Sequence, residues 1–206
     1  MYLRPAFTET DLDRIVAMIE DNPFGVLVTH GADGMAASHV PFLVERTGDS
    51  LVLSAHLGAP NAQCADLDGG QALAIFSGPH AYISPGWYRT QPAVPTWDYV
   101  AVHVHGALQA VTDYDEVCTM LRALAVHDPE KFDLDALPDK FRATMIAGIR
   151  AFRLPARRIE AQWKMSQNRS PPDRQGVAAA LRQQGNAAVA ELIEATLPAG
   201  SQTNPT

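Results

Sequence analysis

The chain has no glycine-rich nucleotide loop. Neither GxGxxG nor GxxxxGK[ST] occurs in its 206 residues, which argues against a Rossmann dinucleotide site and a P-loop. GxSxG is missing too, so Ser84, close to His80 in sequence, does not read as a hydrolase nucleophile. Cysteine is scarce. Cys64 and Cys118 stand far apart, in no CxxC and no Cys/His cluster, which fits neither a disulfide framework nor a structural zinc site. Basic residues number 16 against 23 acidic ones, and a formal net charge of −7 leaves no general electrostatic footprint for nucleic acid. No apolar run approaches the roughly eighteen residues of a membrane span, and MYLRPAFTET shows no charged-then-apolar leader pattern. The expectation is a cytoplasmic protein with no membrane partner.

What is present is the composition of a folded protein, 47% apolar and 19% charged. The chain is organised around residues 76–106, FSGPHAYISPGWYRTQPAVPTWDYVAVHVHG. Two of the three tryptophans, three of the five tyrosines and three of the seven histidines lie here, stiffened by Pro79, Pro85, Pro92 and Pro95. Such side chains carry a flat apolar body with a polar tip, which suits the wall of a pocket for a planar ligand. A rigid proline-rich crossover over a β core is the packing alternative.

Around this stretch, period-two runs predict strands at 24–30, 36–44, 50–56, 71–76, 80–84, 98–111, 149–154 and 157–165. Period-3.6 runs predict a helix opening at Thr10, with Thr10 as cap, a short helix over 60–67, and amphipathic helices over 113–126 and 138–147. A helical hairpin over 173–184 and 186–197 pivots on Gly185. Many short strands with helices grouped towards the end predict an α+β fold, an antiparallel β-barrel with helices outside it. The expected domains are 1–170, binding the cofactor, a hairpin over 171–198 packed on it, and a tail over 199–206.

Candidate chemistry is spread thinly. His103 and His105, two apart on one strand face, could join His80 at a metal, but they lack the four N/S ligands of a structural site and read instead as hydrogen-bonded imidazoles, so no metal site is assigned. A phosphate would need scattered donors, of which Arg89, Lys164, Ser166 and Arg169 lie nearest the aromatic stretch and the final strand.

GPHAYISPGWY at 78–88, VPTWDYVAVHVHG at 94–106 and KMSQNR at 164–169, with SHVPF at 38–42 and AHLGAPN at 55–61, resemble the motifs of the PaiB family, the FMN-binding negative transcriptional regulators. The resemblance runs from Met1 to about Leu181. It implies a split β-barrel of the flavin-reductase and pyridoxamine-phosphate-oxidase type, a homodimer with FMN at the subunit interface, and nucleic acid as a partner that the charge does not support. The family's motif positions fall on His39, His56, Asn61, Gly78, Pro79, His80, Tyr82, Ser84, Pro85, Tyr88, Pro95, Thr96, Trp97, His103, Gly106, Lys164, Ser166, Gln167 and Asn168, and Trp87 joins them as a ring wall. Two positions depart from the pattern: Asp98 stands where the family has Asn, and AHLGAPN lacks the Arg that commonly precedes Ala-Asn-Pro.

Haem-dependent piperazate synthases, which form an N–N bond in N-hydroxy-ornithine, are similar to this family. Their resemblance implies haem b as an alternative cofactor with His56 as axial ligand, a position where a capping or hydrogen-bonded imidazole is the plainer alternative. Three readings therefore stand: a flavin-binding regulator or sensor with its ring on Tyr82, Trp87 or Trp97, a flavin-dependent oxidoreductase in which His80 or His103 relays protons, and a haem protein.

Overall fold

The computed structural model of the chain describes residues 1–32, 34–125 and 128–198. The expected tail over 199–206, residue 126 at the end of the helix predicted over 113–126, and residue 127 lie outside them. In chain order the elements are β1 (Thr8–Glu9), α1 (Leu12–Asp21), β2 (Phe24–Gly31), β3 (Gly34–Pro41), β4 (Leu43–Thr47), β5 (Ser50–Gly58), β6 (Gln71–Ile83), β7 (Thr96–Ala107), β8 (Gln109–Val111), α2 (Tyr114–Leu124), α3 (Asp139–Ala147), β9 (Ile149–Lys164), α4 (Pro171–Gln183) and α5 (Ala187–Glu194). The strands run β3-β2-β6-β7-β9-β5-β4, with β1 and β8 also on β9. Pairings of β2 with β3 and β6, of β5 with β4 and β9, and of β1 and β8 with β9 are antiparallel, as the α+β reading expects. Among the described residues no helix is long and apolar enough to cross a membrane.

Two expected pairs of strands are single long ones. β6 runs through Gly78-Pro79, where its buried positions change phase: Ala72, Ala74 and Phe76 are buried before the proline, Ala81 and Ile83 after it. That slip turns His80 and Tyr82 to the exposed side. β9 likewise runs through Pro155. In the other direction, Pro41 ends β3 on the sheet edge, so the predicted strand over 36–44 is two.

The chain divides into two units: Met1–Thr10, Ser77–Val102 and Glu160–Thr206 form the first, Asp11–Phe76 and His103–Ile159 the second. In the second, α1 is capped by Asp11, which accepts from the amides of Asp13 and Arg14, rather than by Thr10. The carboxylate meets the positive end of the helix, where a neutral hydroxyl gains less. Phe42 lies edge-on to Phe76 (5.2 Å) and Phe152 (6.3 Å), and all three are buried. Such pairs add about 0.5–1.5 kcal/mol to the burial itself. The helix α3 is less amphipathic than its sequence predicts: it buries no residue fully, Phe141 and Met145 are about half exposed, and only Ile146 packs on the cluster of Val111, Val117, Met120 and Ala151.

In the first unit, α4 and α5 close a hairpin through Gly185, whose φ of +78° suits glycine. Ser170 caps α4, with prolines at its first turn, and Val177, Leu181, Val189 and Ile193 are buried.

Candidate functional site

Alternation along β7 builds the site. Asp98, Val100, Val102 and Val104 are buried while Trp97 points out, 54% exposed. On β6 the phase slip brings His80 and Tyr82 to the same exposed face, and Tyr82 is 49% exposed. The Trp97 ring centroid stands 6.1 Å from each of these two rings, tilted at 39° to His80 and edge-on at 76° to Tyr82. Together with Ala81, Ser84, Trp87, Leu181, Gln184 and Asn186 they line an open cleft of about 540 Å³ within the first unit.

Trp87 is held by a built turn. Ser84 caps the short 3₁₀ turn Pro85–Trp87, accepting from Gly86 N, and Gln91 Nε2 donates to the carbonyls of Pro85 (2.9 Å) and Tyr88 (3.3 Å). α4 lies against this turn so closely that a Cβ on Gly176 would stand 2.5 Å from the Trp87 carbonyl oxygen. Thr90 N donates to Asp173 at 2.9 Å, tying the same loop to the start of α4.

Asp98 occupies a core position of its strand, fully buried, and two donors answer it. Ser166 Oγ donates to Oδ2 at 2.6 Å and Lys164 Nζ to Oδ1 at 3.1 Å. Burial pushes the carboxyl above its ordinary range, against the pull of Ser166 and Lys164. Lys164 also donates to Thr96 Oγ1 at 2.7 Å and to the Trp97 carbonyl. Gln167 closes the turn after β9, accepting from Met165 N at 2.7 Å and donating to the Trp163 carbonyl. Asn168 is exposed, Tyr88 is buried, and the Arg169 guanidinium lies over the Tyr88 ring at 4.4 Å.

Of the predicted residues, His80, Tyr82, Ser84, Trp87 and Trp97 therefore share the cleft, while Thr96, Lys164 and Ser166 gather around Asp98. His39, His56, Asn61 and His103 belong to the second unit. There His39 stacks on Phe24 at 6.0 Å, and Asn61 is engaged at both ends of its amide, accepting from Gln63 N and donating to Ser38 Oγ, both at 2.9 Å. Burial lowers the His56 pKa and favours the neutral imidazole. His103 and His105 share the outward side of β7, ring centroids 6.5 Å apart. Sequence reasoning missed Gly176, Gln184 and Asn186, which reach the cleft region through the α4–α5 hairpin and carry no local signal. Asp98 was legible: it stands in phase with Val100 and Val102.

Residues 1–158 match the model of the family described as "Putative FMN-binding domain". A curated relative, protease synthase and sporulation protein PAI 2 of Bacillus subtilis, is 31% identical over 94% of this chain and 95% of its own. The chain belongs to the PaiB family. Among solved structures it is similar to the FAD and heme binding protein of Mycobacterium smegmatis, 15% identical over 76% of this chain and 73% of that one, TM-score 0.58. The flavocytochrome Anf3 of Azotobacter vinelandii is 12% identical over 79% and 72%, TM-score 0.54. At such identities the likeness shows the fold alone, and it is the split-barrel fold that the PaiB motifs imply.

Proposed function

We propose that this PaiB-family chain binds FMN, with the isoalloxazine ring against His80, Tyr82 and Trp97, and acts in the cytoplasm as a ligand-responsive regulator whose site a second copy of the chain covers. The observation that carries the reading is the exposed aromatic wall itself: Trp97 and Tyr82 keep about half their surface open in the single chain. A flat ring, or the partner subunit beside it, removes that apolar surface from water.

The residues fit the ring better than the phosphate arm at its expected place. Lys164 and Ser166 direct their donors at Asp98, Thr96 and the Trp97 carbonyl. Arg169 is the cation of this turn that forms no ion pair among the described residues, and the phosphate is assigned to it. Bound flavin would supply hydride and electron exchange; the chain's part is to bind and orient the ring, with Ser84, Gln184 and Asn186 offering polar contacts to its edge.

Regulation by direct reading of DNA finds no support in the C-terminal hairpin, where Arg182 pairs with Glu194 at 2.7 Å and Arg174 is directed at Thr196. The regulatory role is therefore read as acting through ligand or protein contacts. Salt-dependent binding to operator DNA overturns that part. A second reading, haem held by His56, draws on its half-buried, neutral imidazole, the form that ligates iron.

Titration of the purified protein with FMN, followed by flavin fluorescence, and separately with haem, followed by its absorption band, decides between them. Saturable fluorescence change with a sedimentation shift to dimer supports the proposal. A haem spectrum lost in His56→Ala supports the alternative, and no response to either removes both. Reduction of bound flavin by a nicotinamide cofactor turns the reading towards an oxidoreductase.

A further inference from the structure

The second unit carries a cleft of its own, about 430 Å³, crossed by residues of β2, β3, β6, β7 and β9. Its charged lining is basic in an acidic chain: Arg157 and Arg158 stand on it with His30 and His105 beside the neutral Thr29 and Gln71, and among the described residues no Asp or Glu lines it. We propose that this cleft binds a small organic anion, a compact anionic head such as a phosphate carried on a short apolar body. The inference does not rest on the flavin reading.

Three observations carry it. First, both guanidinium groups are exposed, and Arg157 forms no ion pair among the described residues. A planar fork of N–H donors in a concave site meets a phosphate or carboxylate in two-point contact, which a single ammonium cannot do. Second, Arg158 Nη2 lies 3.1 Å from His105 Nδ1. Because arginine can only donate, the bond fixes His105 as the tautomer with its proton on Nε2, a donor. It also holds the Arg158 guanidinium on the cleft side of the strand. Thr29, which also lines the cleft, donates its Oγ1 to Asp66 at 2.5 Å. Third, the floor is apolar and set by strand register. Val28 stands opposite Leu73, and His30 opposite Met35, which is 76% exposed. A bare inorganic anion leaves that floor wet, whereas an alkyl group covers it at about 25 cal/mol per Å².

The test is titration of the full chain with butyl phosphate and, separately, inorganic phosphate at constant ionic strength, read by the imidazole NMR signals of His30 and His105. Saturable shifts of both signals are expected, with butyl phosphate binding several-fold more tightly than phosphate. Arg157→Ala is expected to weaken binding about tenfold, and Arg157→Lys, which keeps the charge without the fork, to fall between. Arg157 is exposed, so the thermal midpoint of either variant should match the parent and show that the fold is intact. Absence of saturable shifts, shifts that chloride reproduces at the same ionic strength, or an unchanged affinity in folded Arg157→Ala would overturn the proposal.

Discussion

Ser166 Oγ donates to Asp98 Oδ2 at 2.6 Å, and Ser166 is one of two non-glycine residues with a left-handed backbone among the described residues, its φ being +56°. An L-residue pays about 1–2 kcal/mol to sit there. The bond to a buried carboxylate offsets that cost and gives the KMSQNR turn its shape. Ser166→Ala should lose about 2 kcal/mol, since it keeps the strain and drops the bond. Ser166→Gly should lose less, because glycine takes the same φ freely. Urea unfolding of the two variants gives the order; a glycine variant weaker than the alanine one refutes the account.

Asp98 has the opposite pH dependence to a surface carboxylate. Its native pKa lies above the ordinary value, so the folded chain binds more protons than the unfolded one between those two pKa values. This residue's contribution to stability is thus full below the ordinary carboxylate pKa and is lost as pH rises through the raised one. Asp98→Asn cannot titrate, so the stability of the parent relative to it should grow as pH falls from neutrality towards about 4. Asp98→Ala, which strands Lys164, should cost about 3 kcal/mol. Denaturation midpoints across that range measure both; a parent-to-Asn difference flat with pH contradicts the raised pKa.

His56 runs the other way. Burial lowers its pKa, so the unfolded chain binds the extra proton, and stability from this group is present above about 6.5 and lost as pH falls through the lowered native value. The His56 ring proton resonance should titrate below about 6.5, and His56→Gln should flatten the acid limb of the stability profile.

Gly176 is a point of close contact between α4 and the Trp87 turn, beside the Thr90–Asp173 bond. With a Cβ only 2.5 Å from the Trp87 carbonyl, Gly176→Ala forces helix or turn to move. A cost of about 1–3 kcal/mol is expected, together with weaker flavin binding, because Trp87 lines the cleft. Equal thermal midpoints for the variant and the parent would show the contact to be slack.

Trp97→Ala removes the centre of the aromatic wall. FMN affinity should fall by about 0.5–1.5 kcal/mol, up to about tenfold, with little change in stability since the ring is mostly outside the core. Trp97→Phe should retain most of the affinity. Equal binding by parent and Trp97→Ala places the ring elsewhere.

Where one residue's neighbours in sequence set its environment, the chain could be read directly. Period-two patterning located every long strand, and the caps Asn61, Asp113 and Ser170 sit where side-chain oxygens precede helical runs. Extended one step towards the N-terminus, the same alternation puts Asp98 in phase with the buried Val100 and Val102 and Trp97 out of phase with them. It failed at Pro79 and Pro155, because proline removes a donor without ending a strand whose partners lie on its other side. It failed again at α3, whose apolar residues promised a buried stripe that Phe141 and Met145 do not make. The reach of Gly176, Gln184 and Asn186 to the cleft depends on how a distant hairpin packs, which no local pattern encodes. The commitment of Lys164 to Asp98 was hidden for the same reason, 66 residues separating the pair.

Because Lys164 already faces a carboxylate, the KMSQNR turn leaves an incoming anion the single guanidinium of Arg169. Selectivity in that corner then leans on shape and hydrogen-bonding pattern, and a dephosphorylated flavin should lose less affinity there than it would in a pocket built around two unpaired cations.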